Sequence, residues 1–337
     1  MTSNKTLKVG IIGLGIGEAH IKSYQKISNV EVFAVCDFDK KRLNFIKNKY
    51  KIPYAFENYK KITENNDIQV VSICSYDNFH AEQILSCLKN GKHVMVEKPA
   101  VLKPLEAEQI LKFLQDTKLY ITSNLILRKS PRFIKLKQMI ESNLFGEIFH
   151  IEGDYLHHIL HKITEGWRGQ MDFYCTVYGG GIHLIDLMRW LMSEEIKEVT
   201  SMGTSIPVKN SNYKWMDTIT SLLKWENGAT GKTTTCLAPI RNKFHSLNIY
   251  GTKKTFINDR PSGKLFNTAG DNVSHIKVKD PYPGMAKGDM LPDFINSIRQ
   301  KNKPDVNEID IFRVMTVCFG IWEATKKKKT IDLKYMI

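Results

Sequence analysis

Long apolar runs are missing from this chain of 337 residues: none reaches the roughly 18 residues that a membrane span needs, so no membrane partner is expected. The apolar stretch from Val9 to Ile16 is short, contains glycines and is soon followed by Glu18. It lacks the length and cleavage-site pattern of a secretory signal and reads as a strand. Without a targeting segment, the expected compartment is the cytoplasm. Cysteine is sparse and scattered: Cys36, Cys74, Cys87, Cys175, Cys236 and Cys318 form no C-x-x-C pair. The spacing suggests no zinc site, and a chain of this size needs no disulfide staples, so six reduced thiols are expected. There is no internal repeat and no low-complexity segment. Acidic residues are the minority, 35 against 49 basic ones, for a net charge of +14. Such an excess attracts anions: cofactor phosphates, a nucleotide-linked substrate or nucleic acid. The lysines are spread along the chain, with one dense run at 326–329, and no aromatics interleave with them as stacking platforms would require. No nucleic-acid partner is expected.

The composition that is present, 42% hydrophobic and 25% charged, belongs to an ordinary globular protein, and the length suits two domains. Over the first third, short β-type runs alternate with helical stretches. Strands are predicted at 8–13, 30–37, 70–75, 93–97 and 120–124, with helices at 16–27, 39–50, 80–90 and 103–117. This alternation predicts a doubly wound parallel sheet, an α/β Rossmann domain covering 1–124. The texture then changes. Helices at 131–142 and 180–192 and a strand at 147–156 precede strands at 197–202, 217–225, 229–236 and 244–250 without intervening helices. Asn227-Gly228 marks a hairpin. A second, α+β domain on a mostly antiparallel sheet is expected over 125–337. The segment 261–283, rich in Gly, Pro and polar residues, reads as an irregular loop, and helices near 286–300 and 309–326 close the chain.

The first strand runs into Gly13-Leu14-Gly15-Ile16-Gly17. Glycines there permit a tight turn and let backbone N–H groups approach a pyrophosphate at a helix N-terminus. The strand before, the helix after and the βαβ context make this a cofactor loop. The third glycine comes one residue early and Glu18 holds its usual place, so helix-to-strand packing should differ slightly. Asp37 ends the second strand, 20 residues beyond Gly17. An acid at that spacing accepts hydrogen bonds from the ribose hydroxyls and repels a 2′-phosphate, favouring NAD over NADP. The alternative for Asp37 is a cap of the following helix, and Arg42 or nearby lysines leave room for NADP.

Gly91-Lys92-His93-Val94-Met95-Val96-Glu97-Lys98-Pro99, taken with the glycine loop and Asp37, resembles the glucose–fructose oxidoreductase / inositol dehydrogenase family (Gfo/Idh/MocA). The resemblance covers nearly the whole chain. Ser75-Tyr76-Asp77-Asn78-Phe79-His80 is similar to the family's cofactor loop, with Tyr76 where proline is usual. Gly180-Gly181-Ile182-His183-Leu184-Ile185-Asp186-Leu187 resembles its G-x-H-x-x-D-L segment. The resemblance implies that Lys98 sits beside the nicotinamide and the reacting carbon as the acid–base or orienting residue. A lysine next to a cationic nicotinamide has its pKa lowered, which suits that task. It implies that His183 is a proton-transfer partner, and that Ser75, Asp77, His80 and Glu97 shape the nicotinamide side. Trp167-Arg168 matches a pair that approaches the nicotinamide end or the substrate. Arg168 also suits a bidentate grip on a phosphate or carboxylate, or else a surface ion pair.

The chain departs from the family at Gly179, where an aspartate four residues before His183 is usual. No aspartate–histidine relay can form from those two positions. Tyr155, His157, His158 and His161 lie in the segment expected to line the substrate pocket and are the candidates to replace it. His157 and His161 have the i, i+4 spacing of helical metal ligands, but no third ligand follows and no metal is expected. The resulting expectation is hydride transfer between NAD and a secondary alcohol or ketone of a sugar-like substrate, with a lean toward a nucleotide-activated or amino sugar. Gly13, Gly15, Ile16, Gly17 and Asp37 would hold the dinucleotide; Lys98, Tyr155, His157, Arg168 and His183 would meet the substrate. The rival expectation is an NAD-binding sensor or assembly subunit without turnover. A homodimer or homotetramer is implied by the resemblance.

Overall fold

Runs in which every residue is buried, such as the four-residue strand Val70–Ile73, mark a sheet covered on both faces. The computed structural model describes residues 6–270 and 274–337. The chain divides into two compact units, one running to Ile126 and taking in Ala286–Phe312, the other comprising Leu127–Met285 and Arg313–Met336.

The first unit holds six parallel strands: β1 (Leu7–Ile12), β2 (Val30–Cys36), β3 (Tyr54–Phe56), β4 (Val70–Ile73), β5 (His93–Val96) and β6 (Ile121–Ser123). Their order is β3-β2-β1-β4-β5-β6, so the winding direction reverses between β1 and β4. Strand ends at such a switch point leave a crevice for a ligand. Helices Leu14–Tyr24, Lys40–Tyr50, His80–Lys89 and Pro104–Gln115 provide the main crossovers. Asp39 caps the second of these by accepting the backbone N–H groups of Lys41 and Arg42. Pro104 opens the fourth, where Glu106 folds back to accept the N–H groups of Leu102 and Lys103. Strand β3 and the short helix Lys60–Thr63 lie in a stretch too polar for periodicity to reveal.

Residues 286–312 pack with this unit, whereas the sequence reading placed them in the second. Helix Leu291–Gln300 buries Leu291, Phe294 and Ile295, a stripe at i, i+3, i+4, and packs on helix Leu14–Tyr24. Ser23 Oγ donates to the Gly288 carbonyl at 2.8 Å, Asn124 Nδ2 to that of Lys287 at 3.2 Å, and Arg299 to that of Ser28 at 2.6 Å.

The second unit carries β7 (Ile148–Leu156), β8 (Ile196–Thr204), β9 (Thr218–Trp225), β10 (Thr230–Cys236), β11 (Phe244–Gly251), β12 (Thr255–Ile257), β13 (Gly263–Phe266), β14 (His275–Val278) and β15 (Ile331–Asp332). They form one sheet in the order β14-β13-β12-β11-β7-β10-β9-β8-β15. Only the central pair β7–β10 is parallel. The predicted Asn227-Gly228 turn joins β9 to β10, with Gly228 at φ +91°. In β9 the buried positions Ile219, Ser221, Leu223 and Trp225 alternate with outward ones, the signature of a sheet covered on one face. Helix Ile182–Met192 packs on β7.

The irregular loop expected over 261–283 is corrected: β13 and β14 pair as a hairpin within it. Gly263 and Leu265 face inward and alternate with Lys264 and Phe266, a period too short to stand out beside the surrounding Gly and Pro. No helix among the described residues is long and apolar enough to cross a membrane.

Candidate active site

At the end of β1, Gly13 takes φ +85°, the left-handed region open to glycine, and donates its N–H to the Cys36 carbonyl at 2.8 Å. A Cβ there would lie 2.5 Å from the Cys74 carbonyl oxygen and 2.6 Å from Ser75 N. No side chain fits. Above exposed Gly15 a Cβ would meet nothing closer than Arg42 Nη1 at 3.8 Å, and Ile16 is half-buried beside it. The first turn of the helix contains no acidic residue, so its positive dipole end is free to favour an anion. Gly17 serves the packing role usually given to a later glycine, since its Cβ would stand 2.9 Å from Ile11 Cγ2. Glu18 points outward and accepts from Lys49 Nζ at 2.8 Å and Tyr50 Oη at 2.6 Å. Those hydrogen bonds hold its carboxyl down at about 2.

Asp37 is 5% exposed, and both its oxygens already work for the loop. Oδ2 accepts the Leu14 N–H at 2.8 Å and Oδ1 that of Asp39 at 2.9 Å. The helix cap is Asp39, not Asp37. A carboxylate has roughly four lone-pair sites, so two remain for a ribose diol. Phe38, 67% exposed, meets Tyr76 edge-on at 5.5 Å. This aromatic pair beside Asp37 was missed in the sequence, where its one signal was an aromatic directly after Asp37.

Lys98 is half-buried on the loop leaving β5. Its neighbours in the motif brace that loop. Glu97 is buried, accepts from Asn124 Nδ2 at 2.7 Å and stands 3.4 Å from His20 Nε2. Burial alone would raise its carboxyl, but His20, Lys98 and Asn124 outweigh that and bring it down to about 2. His80, fully buried, has Nδ1 2.7 Å from the Pro99 carbonyl oxygen and Nε2 3.2 Å from that of Ser75. It ties the 75–80 loop to the Lys98-Pro99 turn. Ser75 Oγ donates to Gln83 Oε1 at 2.7 Å, and Asp77 is buried. Glu97, Ser75 and His80, expected to shape the nicotinamide side, each have partners within the protein.

In the second unit the residues expected around the substrate form an aromatic cluster. Tyr155 is buried on β7, its hydroxyl 3.0 Å from His157 Nδ1. Its ring lies 6.2 Å from that of His183 and 5.6 Å from that of His245. Burial lifts the Tyr155 phenol to about 12 and, with nearby Lys243, lowers His157 to about 4. His245 was not singled out, because only the pairing of β11 with β7 sets it opposite Tyr155. His158 and His161 are exposed. His157 follows the end of β7 while His161 lies in helix Leu160–Thr164, so the helical metal spacing read from the sequence does not exist. The Arg168 guanidinium lies over the Trp167 ring at 4.3 Å.

His183 is half-buried on helix Ile182–Met192. Asp186, next on its face, is fully buried and grips Arg128 through both oxygens, at 2.9 and 2.5 Å. The helix is entered through a wide turn at Val177–Gly181, and its three glycines form a socket. A Cβ on Gly180 would fall 2.6 Å from the Tyr155 ring, and one on Gly181 would fall 2.1 Å from Thr235 Oγ1. One on Gly179 would fall 2.0 Å from Tyr174 Oη.

Residues 7–125 match the family model for the oxidoreductase family with an NAD-binding Rossmann fold, and residues 133–257 match that for the Gfo/Idh/MocA C-terminal domain. The chain is 23% identical to myo-inositol 2-dehydrogenase of Thermotoga maritima over 98% of this chain and 100% of that protein. It is 29% identical to inositol 2-dehydrogenase of Salmonella typhimurium over 58% and 57%. Among solved structures it resembles levoglucosan dehydrogenase in complex with NADH and levoglucosan, with a TM-score of 0.89, 20% identity and coverage of 98% and 100%. It also resembles scyllo-inositol dehydrogenase of Lactobacillus casei with bound NAD(H) and scyllo-inositol, with a TM-score of 0.82, 23% identity and coverage of 97% and 99%.

Proposed function

Because the chain belongs to the Gfo/Idh/MocA oxidoreductase family, whose N-terminal domain binds NAD, we propose that it transfers hydride between NAD and a ring carbinol of a cyclic polyol or sugar. The observation that carries the reading is the Gly13–Gly17 cradle: a turn that excludes any side chain at Gly13, opens at Gly15 and ends on a helix without a first-turn acid. It fits a pyrophosphate, with Asp37 supplying acceptors to the ribose. When bound, NAD supplies the hydride acceptor.

The protein's own residues manage the proton and the hydroxyls. Lys98 hydrogen-bonds the reacting hydroxyl and takes its proton as the carbinol becomes a carbonyl. His183, by the family resemblance, is a second proton-transfer group. Tyr155 and His157 offer a hydroxyl and a neutral imidazole to the ring hydroxyls, and Arg168 grips any anionic substituent. The names of the relatives favour a free cyclitol or anhydro-sugar over the nucleotide-activated or amino sugar first expected. A homodimer or homotetramer in the cytoplasm completes the proposal. It is supported by six free cysteines and by Phe149, Met202, Leu222 and Ile276 standing exposed on the sheet.

The test is NADH formation followed by absorbance, with inositols, free and anhydro-sugars and UDP-sugars offered to the protein and to Lys98→Ala. Turnover on one class, reduced about 100-fold or more in the variant, is the expected result. NAD binding with no turnover in either direction on any class, ketones with NADH included, would leave the sensor reading in its place.

A further inference from the structure

The helix that carries His183 has a glycine at the position one turn before it, yet that position is not empty. The ideal Cβ of Gly179 would sit 2.0 Å from Tyr174 Oη and 2.8 Å from its Cζ. The phenol end of Tyr174 therefore fills the volume that a side chain on residue 179 would occupy. Residues at i and i+4 share a helix face, so this hydroxyl stands on the face of His183. Tyr174 is 2% exposed and is fixed immediately ahead of the wide turn. Its ring packs against Tyr213 at 6.4 Å.

Next to it lie further buried polar groups. Tyr213 and Asp217 are both buried, and neither Tyr213 Oη nor Asp217 Oδ1 has a partner among the described residues. Asp217 Oδ2 accepts from Thr218 Oγ1 at 2.7 Å. Unpaired buried polar atoms are costly, so a row of them beside a candidate active-site helix calls for a use. Burial raises the Asp217 carboxyl, and raises the Tyr213 phenol with added effect from Tyr174, Cys175 and Asp217. The row thus favours neutral groups. Tyr155 from β7 faces His183, and Tyr174, Cys175 and Asp217 face Tyr213.

We propose that Tyr174 is the positioning residue of His183: its hydroxyl, delivered from the preceding loop into the side-chain space of Gly179, hydrogen-bonds the imidazole and sets its orientation and tautomer. This rests on the reading of His183 as proton-transfer partner. It means that a phenol stands where the family's relay carries a carboxylate.

The test compares wild type, Tyr174→Phe and the double variant Tyr174→Ala/Gly179→Asp, the last freeing the space and refilling it with a carboxylate. Two readouts are taken: pH profiles of kcat and KM with NAD and the best polyol, and nitrogen-15 NMR titration of His183 without substrate. Tyr174→Phe is expected to lower kcat about 10- to 100-fold with KM little changed, as misplacement of a reacting group does. It should also change the His183 tautomer ratio. The double variant should recover kcat and raise the His183 pKa by about one unit or more. An unchanged His183 titration in Tyr174→Phe overturns the proposal, with or without turnover. Absence of turnover in the wild type overturns the dehydrogenase reading instead, and the NMR comparison still decides the role of Tyr174.

Discussion

Acid should weaken the second unit in part through the imidazole of His245, and that part can be worked out. His245 is 4% exposed on β11. Tyr282 Oη accepts the backbone N–H of His245 at 2.7 Å and lies 2.8 Å from its Nδ1. One hydroxyl thus holds both the backbone and the ring of His245. Burial, then the positive charge of Lys243, the neighbouring His157 and the positive charge of Arg260, push this imidazole down to about 3. In the unfolded chain it titrates at about 6.5. The folded value is the lower one, so the unfolded state takes up a proton that the folded state refuses. The contribution is fully present above pH 6.5 or so and is lost as pH falls from there toward about 3. Near pH 5 the deficit is about 1.5 pH units, or about 2 kcal/mol at about 1.4 kcal/mol per unit. Carboxylates and other histidines titrate too, so the informative quantity is a difference between two proteins. Urea unfolding of wild type and His245→Gln, each near pH 7.5 and near pH 5, should show the variant losing about 2 kcal/mol less on acidification. Equal losses in the two proteins would refute the argument.

Gly17→Ala should force the first helix off β1, because its Cβ would stand 2.9 Å from Ile11 Cγ2. Calorimetric titration with NAD should show weaker binding, and thermal unfolding a loss of about 1–3 kcal/mol. Asp186→Ala leaves the Arg128 guanidinium buried without its carboxylate and should cost about 3–5 kcal/mol in denaturant unfolding, while Asp186→Glu recovers part of it. Gly180→Ala should displace the Tyr155 ring and raise KM for the polyol while leaving NAD affinity near wild type, since the cradle lies elsewhere in the chain.

The βα alternation of the first unit was legible because its strands are buried on both faces and read as unbroken apolar runs. The hairpin β13–β14 was hidden because its residues are as polar as a loop, and only pairing with β12 makes them a sheet. Lys98 and His183 stood out through their motifs. What each neighbouring side chain does was not legible. Glu97 and His80 sit in the same motifs, yet their partners, His20, Asn124 and the Pro99 carbonyl, come from other elements. Tyr174 gave no signal at all. The sequence showed a vacancy at Gly179, and only the placement of a residue five positions earlier shows what fills it.

The discontinuity of the first unit has a consequence for synthesis. Its strands leave the ribosome first, but the segment that covers helix Leu14–Tyr24 begins at Ala286, after the whole of Leu127–Met285 has been made. At roughly 5–20 residues per second, that interval lasts on the order of ten to thirty seconds. During it, the apolar surface that Leu291, Phe294 and Ile295 later bury is open to chaperones and to other nascent chains. A transcript that stops short of residue 286 would therefore yield an incomplete nucleotide-binding half, even though every glycine of its cradle has already been translated.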